Sequence, residues 1–268
     1  MTYTVVIPAR FGSTRLPGKA LADIHGLPMV QHVYHQASMS NAKNVFVATD
    51  DKRIEEVLQA ADIAVLMTDS RHQSGTDRLA EVASILALND DDIVVNVQGD
   101  EPQIPPRVID QVAENLARHR DCVCATLCEP IVTQHDFLNP SVVKVVRNTQ
   151  GKALYFSRAP VPWPRDAMSE QAETATQPES TELEQPVPVG VRPLRHVGIY
   201  AYRVGLLRRF VDWAQTPLEK LESLEQLRIL ENGEAIHVDE AIEPVPGGVD
   251  TPEDLANVRR QMADLADG

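Results

Sequence analysis

The chain of 268 residues contains no run of about 18 or more apolar residues, which excludes a membrane-spanning helix, and no membrane partner is expected. Residues 1–8 have no basic stretch and no small-residue cleavage site behind an apolar segment. A secretory signal is therefore not expected, and the cytoplasm is the default compartment. Cysteine is scarce: Cys122, Cys124 and Cys128 are an odd number crowded into one segment, which does not fit a disulfide framework. They share strand parity and lack the paired close spacing of zinc sites, so burial as small hydrophobes on one face is expected. None of the eight histidines stands in a His-Glu-x-x-His pattern. Bases are outnumbered, 25 against 39 acids, for a net charge of −14. An acidic surface repels phosphate backbones, so no nucleic acid partner is expected.

The distribution of charge says more than its sum. Residues 1–22 hold no acid, yet Arg10, Arg15 and Lys19 fall within ten positions. A basic loop on an acidic protein points to one small anionic ligand held in one place, although charge alone is also satisfied by a solvated loop. At the other extreme, residues 166–186 carry six acids, two prolines and no base, the composition of a mobile surface loop.

A hydrophobic fraction of 43% supplies the core of one large α/β domain, or of a main domain carrying a smaller subdomain. Up to residue 119 the pattern alternates. Strands are expected over 4–7, 44–49, 64–67 and 93–97, with helices over 28–38, 52–61, from Ser74 onward, and over 105–119. That rhythm predicts a doubly wound, Rossmann-like parallel sheet flanked by helices. Residues 9–20, with Gly12, Pro17 and Gly18, are expected to be irregular. Beyond 119 the segments 122–128, 142–146, 153–156 and 196–202 read as strands, which implies an extended sheet and a β-rich subdomain. Helices are expected over 204–214, 217–231 and 251–265. No internal repeat is present.

In an open parallel sheet, ligands bind outside the carboxyl ends of the strands, where the loop after the first strand must lie. Its main-chain N–H groups and three cations suit a polyphosphate. The loop is not a P-loop: five residues separate Gly12 from Gly18, and Lys19 is followed by Ala20. Asp100 directly follows the fourth strand. Spacing alone makes Asp250 a turn residue or helix N-cap. Ser74 is expected to cap the helix that follows it.

Residues 12–19 (GSTRLPGK) resemble the signature loop of the sugar nucleotidyltransferase superfamily. Residues 72–78 (HQSGTDR), 96–102 (NVQGDEP), 153–158 (ALYFSR), 195–200 (RHVGIY), 224–228 (LEQLR) and 248–255 (GVDTPEDL) extend the resemblance in order along the chain. They are similar to the cytidylyltransferase family that activates the acid sugar 3-deoxy-manno-octulosonate (KDO). The resemblance implies one nucleotidyltransferase domain, with a nucleotide-binding core over about 1–120 and acceptor-binding and dimerisation elements over about 121–250. A C-terminal helix over 251–268 completes it. It implies CTP and KDO as substrates, a homodimer, and CMP-KDO supplied for lipopolysaccharide. An amino-modified KDO or sialic acid stands as the alternative acceptor. The segment 166–186 is longer than the family pattern needs.

By resemblance, Ala9, Arg10, Ser13, Arg15, Lys19, Gln73, Ser74 and Gly75 meet the nucleotide, and Asp100 and Asp250 are metal ligands for Mg²⁺. Arg10, Arg15, Lys19 and Asp100 are the expected catalytic groups, because cations and Mg²⁺ stabilise charge gathering on the α-phosphate and departing pyrophosphate. A carboxylate-bearing sugar needs an arginine and several hydrogen-bonding side chains. Arg78, Gln98, Arg158, His196, Tyr200, Glu225 and Gln226 match the acceptor-side motifs. His196 and Tyr200, four apart on one strand face, also suit satisfied core positions. Glu225 and Gln226, adjacent on the expected helix, differ by about 100° in direction, so one can face the site while the other is structural. A non-catalytic nucleotide binder of this fold would be expected to lose Lys19 or the acidic pair, and neither is lost.

Overall fold

The computed structural model describes residues 1–12, 15–72, 74–165, 187 and 192–266. Ser13, Gln73 and the acidic segment 166–186 lie outside the described residues. In chain order the elements begin with β1 (Tyr3–Ala9), a 3-10 turn (Lys19–Leu21), β2 (Asp23–Ile24), β3 (Leu27–Pro28) and α1 (Met29–Ser38). Then come β4 (Asn44–Thr49), α2 (Lys52–Ala60), β5 (Val65–Met67), α3 (Gly75–Ile85), β6 (Ile93–Asn96) and α4 (Pro106–Arg118). The next are β7 (Cys124–Pro130), α5 (Gln134–Leu138), β8 (Lys144–Arg147), β9 (Ala153–Ser157) and β10 (Leu194–Arg203). The chain closes with α6 (Val204–Asp212), α7 (Pro217–Glu222), α8 (Leu227–Glu231), β11 (Ile236–Glu240) and α9 (Pro252–Ala266). No helix among the described residues is long and apolar enough to cross a membrane.

The chain divides into two compact units. The first comprises Met1–Ala125, Ile199–Asp212 and Ile242–Gly268. In it β1 pairs in parallel with β4 and β6, β4 pairs in parallel with β5, and the end of β10 runs antiparallel to β6. The strands are near-continuous apolar runs: Val5, Val6, Ile7, Val94 and Val95 are fully buried, as expected for a sheet covered on both faces. Because β1 and β6 run side by side in the same direction, the segments leaving Ala9 and Asn96 emerge at one edge. The expected Rossmann-like sheet is present.

A smaller apolar cluster fixes the C-terminal helix in this unit. Ile24, Met29, Val249, Leu255 and Val258 are buried together, with Leu16 packed against them. Arg259 adds two bonds to the Asp23 carbonyl, at 2.9 and 2.5 Å. Leu16 belongs to the basic loop and Val249 precedes Asp250, so the cluster ties both chain segments of the coming site to one core.

The second unit comprises Thr126–Gly198 and Trp213–Ala241. Its β8–β9 pair is antiparallel, and β10 adds to β8 through Leu194↔Val145. The single helix expected over 217–231 is two short helices. Ser223 takes a left-handed φ of 51°, and the preceding Glu222 turns its carboxylate to Ser157 Oγ (2.7 Å) and Arg158 N (2.9 Å). Glu225 and Gln226 therefore lie in the turn before α8, so the helical spacing argument does not hold for them. The sequence pattern also missed α5, the β2–β3 hairpin and β11, and the 3-10 turn enters the end of the stretch expected to be irregular. The three cysteines are buried, and burial pushes the Cys128 thiol up to about 12.

Candidate active site

The basic loop leaves β1 at Ala9 and folds back through main-chain bonds. Gly18 N donates to Phe11 O (3.2 Å) and Lys19 N to Leu16 O (3.1 Å). Gly18 has φ +67°, and a Cβ there would stand 3.3 Å from the Phe11 ring, so only glycine suits both the backbone and the space. The Arg53 guanidinium stacks 3.3 Å from the Phe11 ring centroid. Asp51 orients it through Nε and Nη2 at 2.9 and 2.6 Å.

This fold-back delivers Lys19 between two carboxylates. Its Nζ is 2.5 Å from Asp100 Oδ2 and 2.9 Å from Asp250 Oδ1, while Arg15 Nη2 is 3.0 Å from Asp250 Oδ2. Partial burial pulls the Lys19 ammonium down, but the attraction of Asp100 and Asp250 outweighs it and the pKa is raised. Lys19 therefore stays charged through neutral pH. The main chain fastens the two acids together: Val249 N donates to Asp100 O at 2.8 Å.

Asp250 is not the cap of α9. Asp254 Oδ2 accepts from Thr251 N (2.8 Å) and Thr251 Oγ1 (2.8 Å), and Asp254 N donates to Thr251 Oγ1 (3.1 Å). This capping arrangement leaves the Asp250 carboxylate directed to Arg15 and Lys19.

Arg10 is exposed, and its Nη2 donates to the carbonyls of His72 and Ser74, both at 3.0 Å. Ser74 caps α3 as the sequence indicates, in a reciprocal pair with Asp77. A cleft of about 420 Å³ gathers these elements. It is lined by Ala9, Arg10, Arg15 and Lys19 from the loop, Gly75 from α3, and Gln98, Asp100 and Asp250. Gln98, expected on the acceptor side, thus shares the cleft with the nucleotide-side residues.

The sequence reading passed over Gly99, Pro8 and Ala20, which also line the cleft. The signal for Gly99 was a small residue between two polar ones just beyond a buried strand. A Cβ on it would fall 2.6 Å from the Pro8 carbonyl oxygen. Gly99→Ala is expected to lower stability by about 1–3 kcal/mol, the usual cost of overpacking, and to raise the KM for nucleotide. Thermal unfolding and steady-state kinetics check this; a variant with the parent melting temperature and KM would contradict the close approach.

The remaining acceptor candidates are placed differently. Arg78 is a correction: it is fully buried, and its guanidinium pairs with Asp50 (3.1 Å) and bonds Thr68 Oγ1. It holds the sheet edge and does not line the cleft. Tyr200 is buried on β10, its ring stacked on Tyr202 at 5.5 Å between centroids.

In the second unit, Arg158 donates to the carbonyls of Glu222 (2.7 Å) and Pro140 (3.1 Å). Glu225 and Gln226 stand in their turn, with Gln226 buried. His196 Nε2 is 2.9 Å from Thr126 Oγ1, and its ring meets Phe156 edge-on at 5.1 Å. Burial, with Arg195 adding to it, pushes the His196 imidazole down to about 3.

The imidazole's unfolded pKa is about 6.5, so between pH 6.5 and 3 the unfolded chain binds a proton that the fold refuses. His196 favours the fold fully above pH 6.5, and this contribution is lost as pH falls toward 3. His196→Gln is expected to flatten the slope of stability against pH across that window in denaturant titrations. An unchanged slope would contradict a neutral, enclosed imidazole.

Residues 4–236 match the cytidylyltransferase family profile. The chain belongs to the cytidylyltransferase family. It is 58% identical to the 3-deoxy-manno-octulosonate cytidylyltransferase of Cellvibrio japonicus, over 97% of this chain and 97% of that protein. It is 55% identical to the enzyme of the same name from Alcanivorax borkumensis, over 98% of this chain and 99% of that one. Among solved structures it superposes on CMP:2-keto-3-deoxy-manno-octonic acid synthetase complexed with CTP with a TM-score of 0.86 and 42% identity. That match covers 98% of this chain and 99% of the other. The basic loop and the acids Asp100 and Asp250 of this cytidylyltransferase lie within the first unit, at the carboxyl edge of its parallel strands.

Proposed function

We propose that the chain transfers the cytidylyl group of CTP to the 2-hydroxyl of KDO, releasing pyrophosphate and forming CMP-KDO for lipopolysaccharide. The observation that carries the reaction type is the convergence of Lys19 on Asp100 and Asp250 in a cleft edged by Arg10 and Arg15. The choice of CTP and KDO is supported by full-length identity with enzymes named for that sugar and by a close solved relative in complex with CTP.

The hydroxyl oxygen forms a bond to the α-phosphorus and gives up its proton to water, while the bond from that phosphorus to the bridging oxygen of the β-phosphate breaks. No side-chain nucleophile is required; the work is positioning and charge stabilisation. Lys19, held charged, and Arg15 meet the triphosphate and the leaving pyrophosphate, and Arg10 meets the α-phosphate region. They are preorganised by main-chain bonds and carboxylates, so they need not wait for water to reorient.

The residues also fit Mg²⁺. Asp100 and Asp250 present oxygen donors that already converge on one cation, and Mg²⁺ is held by one or two carboxylates together with phosphate oxygens. Asp100 and Asp250 would hold it, and when bound it neutralises polyphosphate charge. We extend the proposal to a homodimer working in the cytoplasm.

The test is a mass-spectrometric product assay with the four nucleoside triphosphates and KDO, amino-modified KDO and sialic acid. CMP-KDO formed preferentially from CTP and KDO is the expected result. Preferred turnover of sialic acid, or no CMP-sugar with any acceptor, would overturn the reading.

A further inference from the structure

One acid of α3 does more than the helix requires. Glu81 Oε2 accepts from Asp69 N at 2.9 Å and stands 2.5 Å from His72 Nε2. A single carboxylate oxygen thus gathers two points of the segment leading into α3. The segment is tightened further where Asp69 Oδ1 accepts from Arg71 N (2.8 Å) and where Asp77 Oδ2 accepts from Ser74 N (3.0 Å).

The same segment also meets Arg10, which lines the cleft. The His72 and Ser74 carbonyls both accept from Arg10 Nη2 at 3.0 Å. Both bonds come from one nitrogen of a guanidinium with five donors, so the fork has capacity for an anion besides. A planar fork held by two carbonyls keeps its plane, and a displacement of about 1 Å in a positioning contact can cost on the order of 10²-fold in rate.

We infer that Glu81 is a positioning residue: by pinning Asp69 and His72 it sets the two carbonyls that aim Arg10, and it couples the turn assigned to the nucleotide with the cation assigned to the α-phosphate. This rests on the CTP reading above. Glu81 touches neither group itself. Its effect passes through the main chain of the turn.

The experiment is a double-mutant cycle on the full chain, with kcat and KM for CTP and UTP measured for wild type, E81A, E81Q, R10A and the double variant E81A/R10A. E81A is expected to lower kcat/KM for CTP about tenfold, less than an outright displacement of Arg10 would, and to narrow the preference for CTP over UTP. E81Q, which keeps an acceptor oxygen for Asp69 N, recovers most of the loss. In the R10A background the E81A effect shrinks to less than about twofold, because the group being aimed is gone. An E81A enzyme with wild-type kinetics, or one losing the same factor with and without Arg10, overturns the inference; the second result is what a merely structural acid would give. If E81A does not fold, H72A carries the test. It removes one of the two contacts of Glu81 and must show the same dependence on Arg10. A wild-type chain inactive on CTP would fail the function reading itself, which separates the two outcomes.

Discussion

Lys19→Ala lowers kcat/KM by about 10²-fold or more while leaving the fold intact. Preorganised charge stabilisers cost this much when deleted, because the charge they oppose grows mainly in the transition state. The structure explains why no neighbour substitutes for it. Among the described residues, Lys19 alone has its ammonium within hydrogen-bonding distance of both Asp100 and Asp250, whereas Arg15 pairs with Asp250 and Arg10 is held by carbonyls. Stability is expected to change by no more than about 1 kcal/mol, since both carboxylates are partly solvated and keep water as an alternative partner. Circular dichroism with steady-state kinetics separates the two effects. A variant turning over at the parent rate would remove Lys19 from the mechanism.

Asp100→Ala is expected to abolish metal-dependent turnover. Asp100 is the less exposed of the two acids, its side chain 27% accessible against 46% for Asp250, and its carbonyl also accepts from Val249 N. Its position is therefore the better fixed. The substitution removes one of two oxygen-donor groups and also leaves Lys19 with Asp250 alone. Asp100→Asn separates these consequences, because it keeps the shape and loses the charge. Activity of either variant that still responds to Mg²⁺ like the parent would count against the carboxylate as a metal ligand. Measuring rate against Mg²⁺ concentration decides it.

Much of this site was legible in the sequence, and the reasons are local. The strand–loop boundary at Ala9, the acid-free run holding Arg10, Arg15 and Lys19, and Asp100 just beyond a buried strand all follow from pattern and from where parallel strands must end. The Ser74 cap was legible because a capping residue needs only its own helix. Asp250 was not, since it shares its segment with Thr251, and only the Asp254 contact shows which of them caps α9.

Arg78 was misplaced because motif membership gives no direction for a side chain. Its partners Asp50 and Thr68 come from neighbouring strand ends that the sequence cannot bring together. The break at Ser223 was hidden for a similar reason: residues 217–231 read as helix, and the pull of Ser157 and Arg158 on Glu222 comes from far along the chain. The β11 strand escaped notice because its five residues include His237, Asp239 and Glu240 and form no apolar run.

The acids and cations of the first unit are expected to make one seat for a metal-bound triphosphate. Calorimetric titration of the protein with α,β-methylene-CTP, in Mg²⁺ and then in EDTA, measures this without any chemical step. The wild-type chain should bind at least about tenfold more tightly with Mg²⁺, and the Asp100→Asn/Asp250→Asn double variant should lose that gain. Equal affinity in Mg²⁺ and EDTA for the wild type, or a Mg²⁺ gain that survives in the double variant, would contradict it.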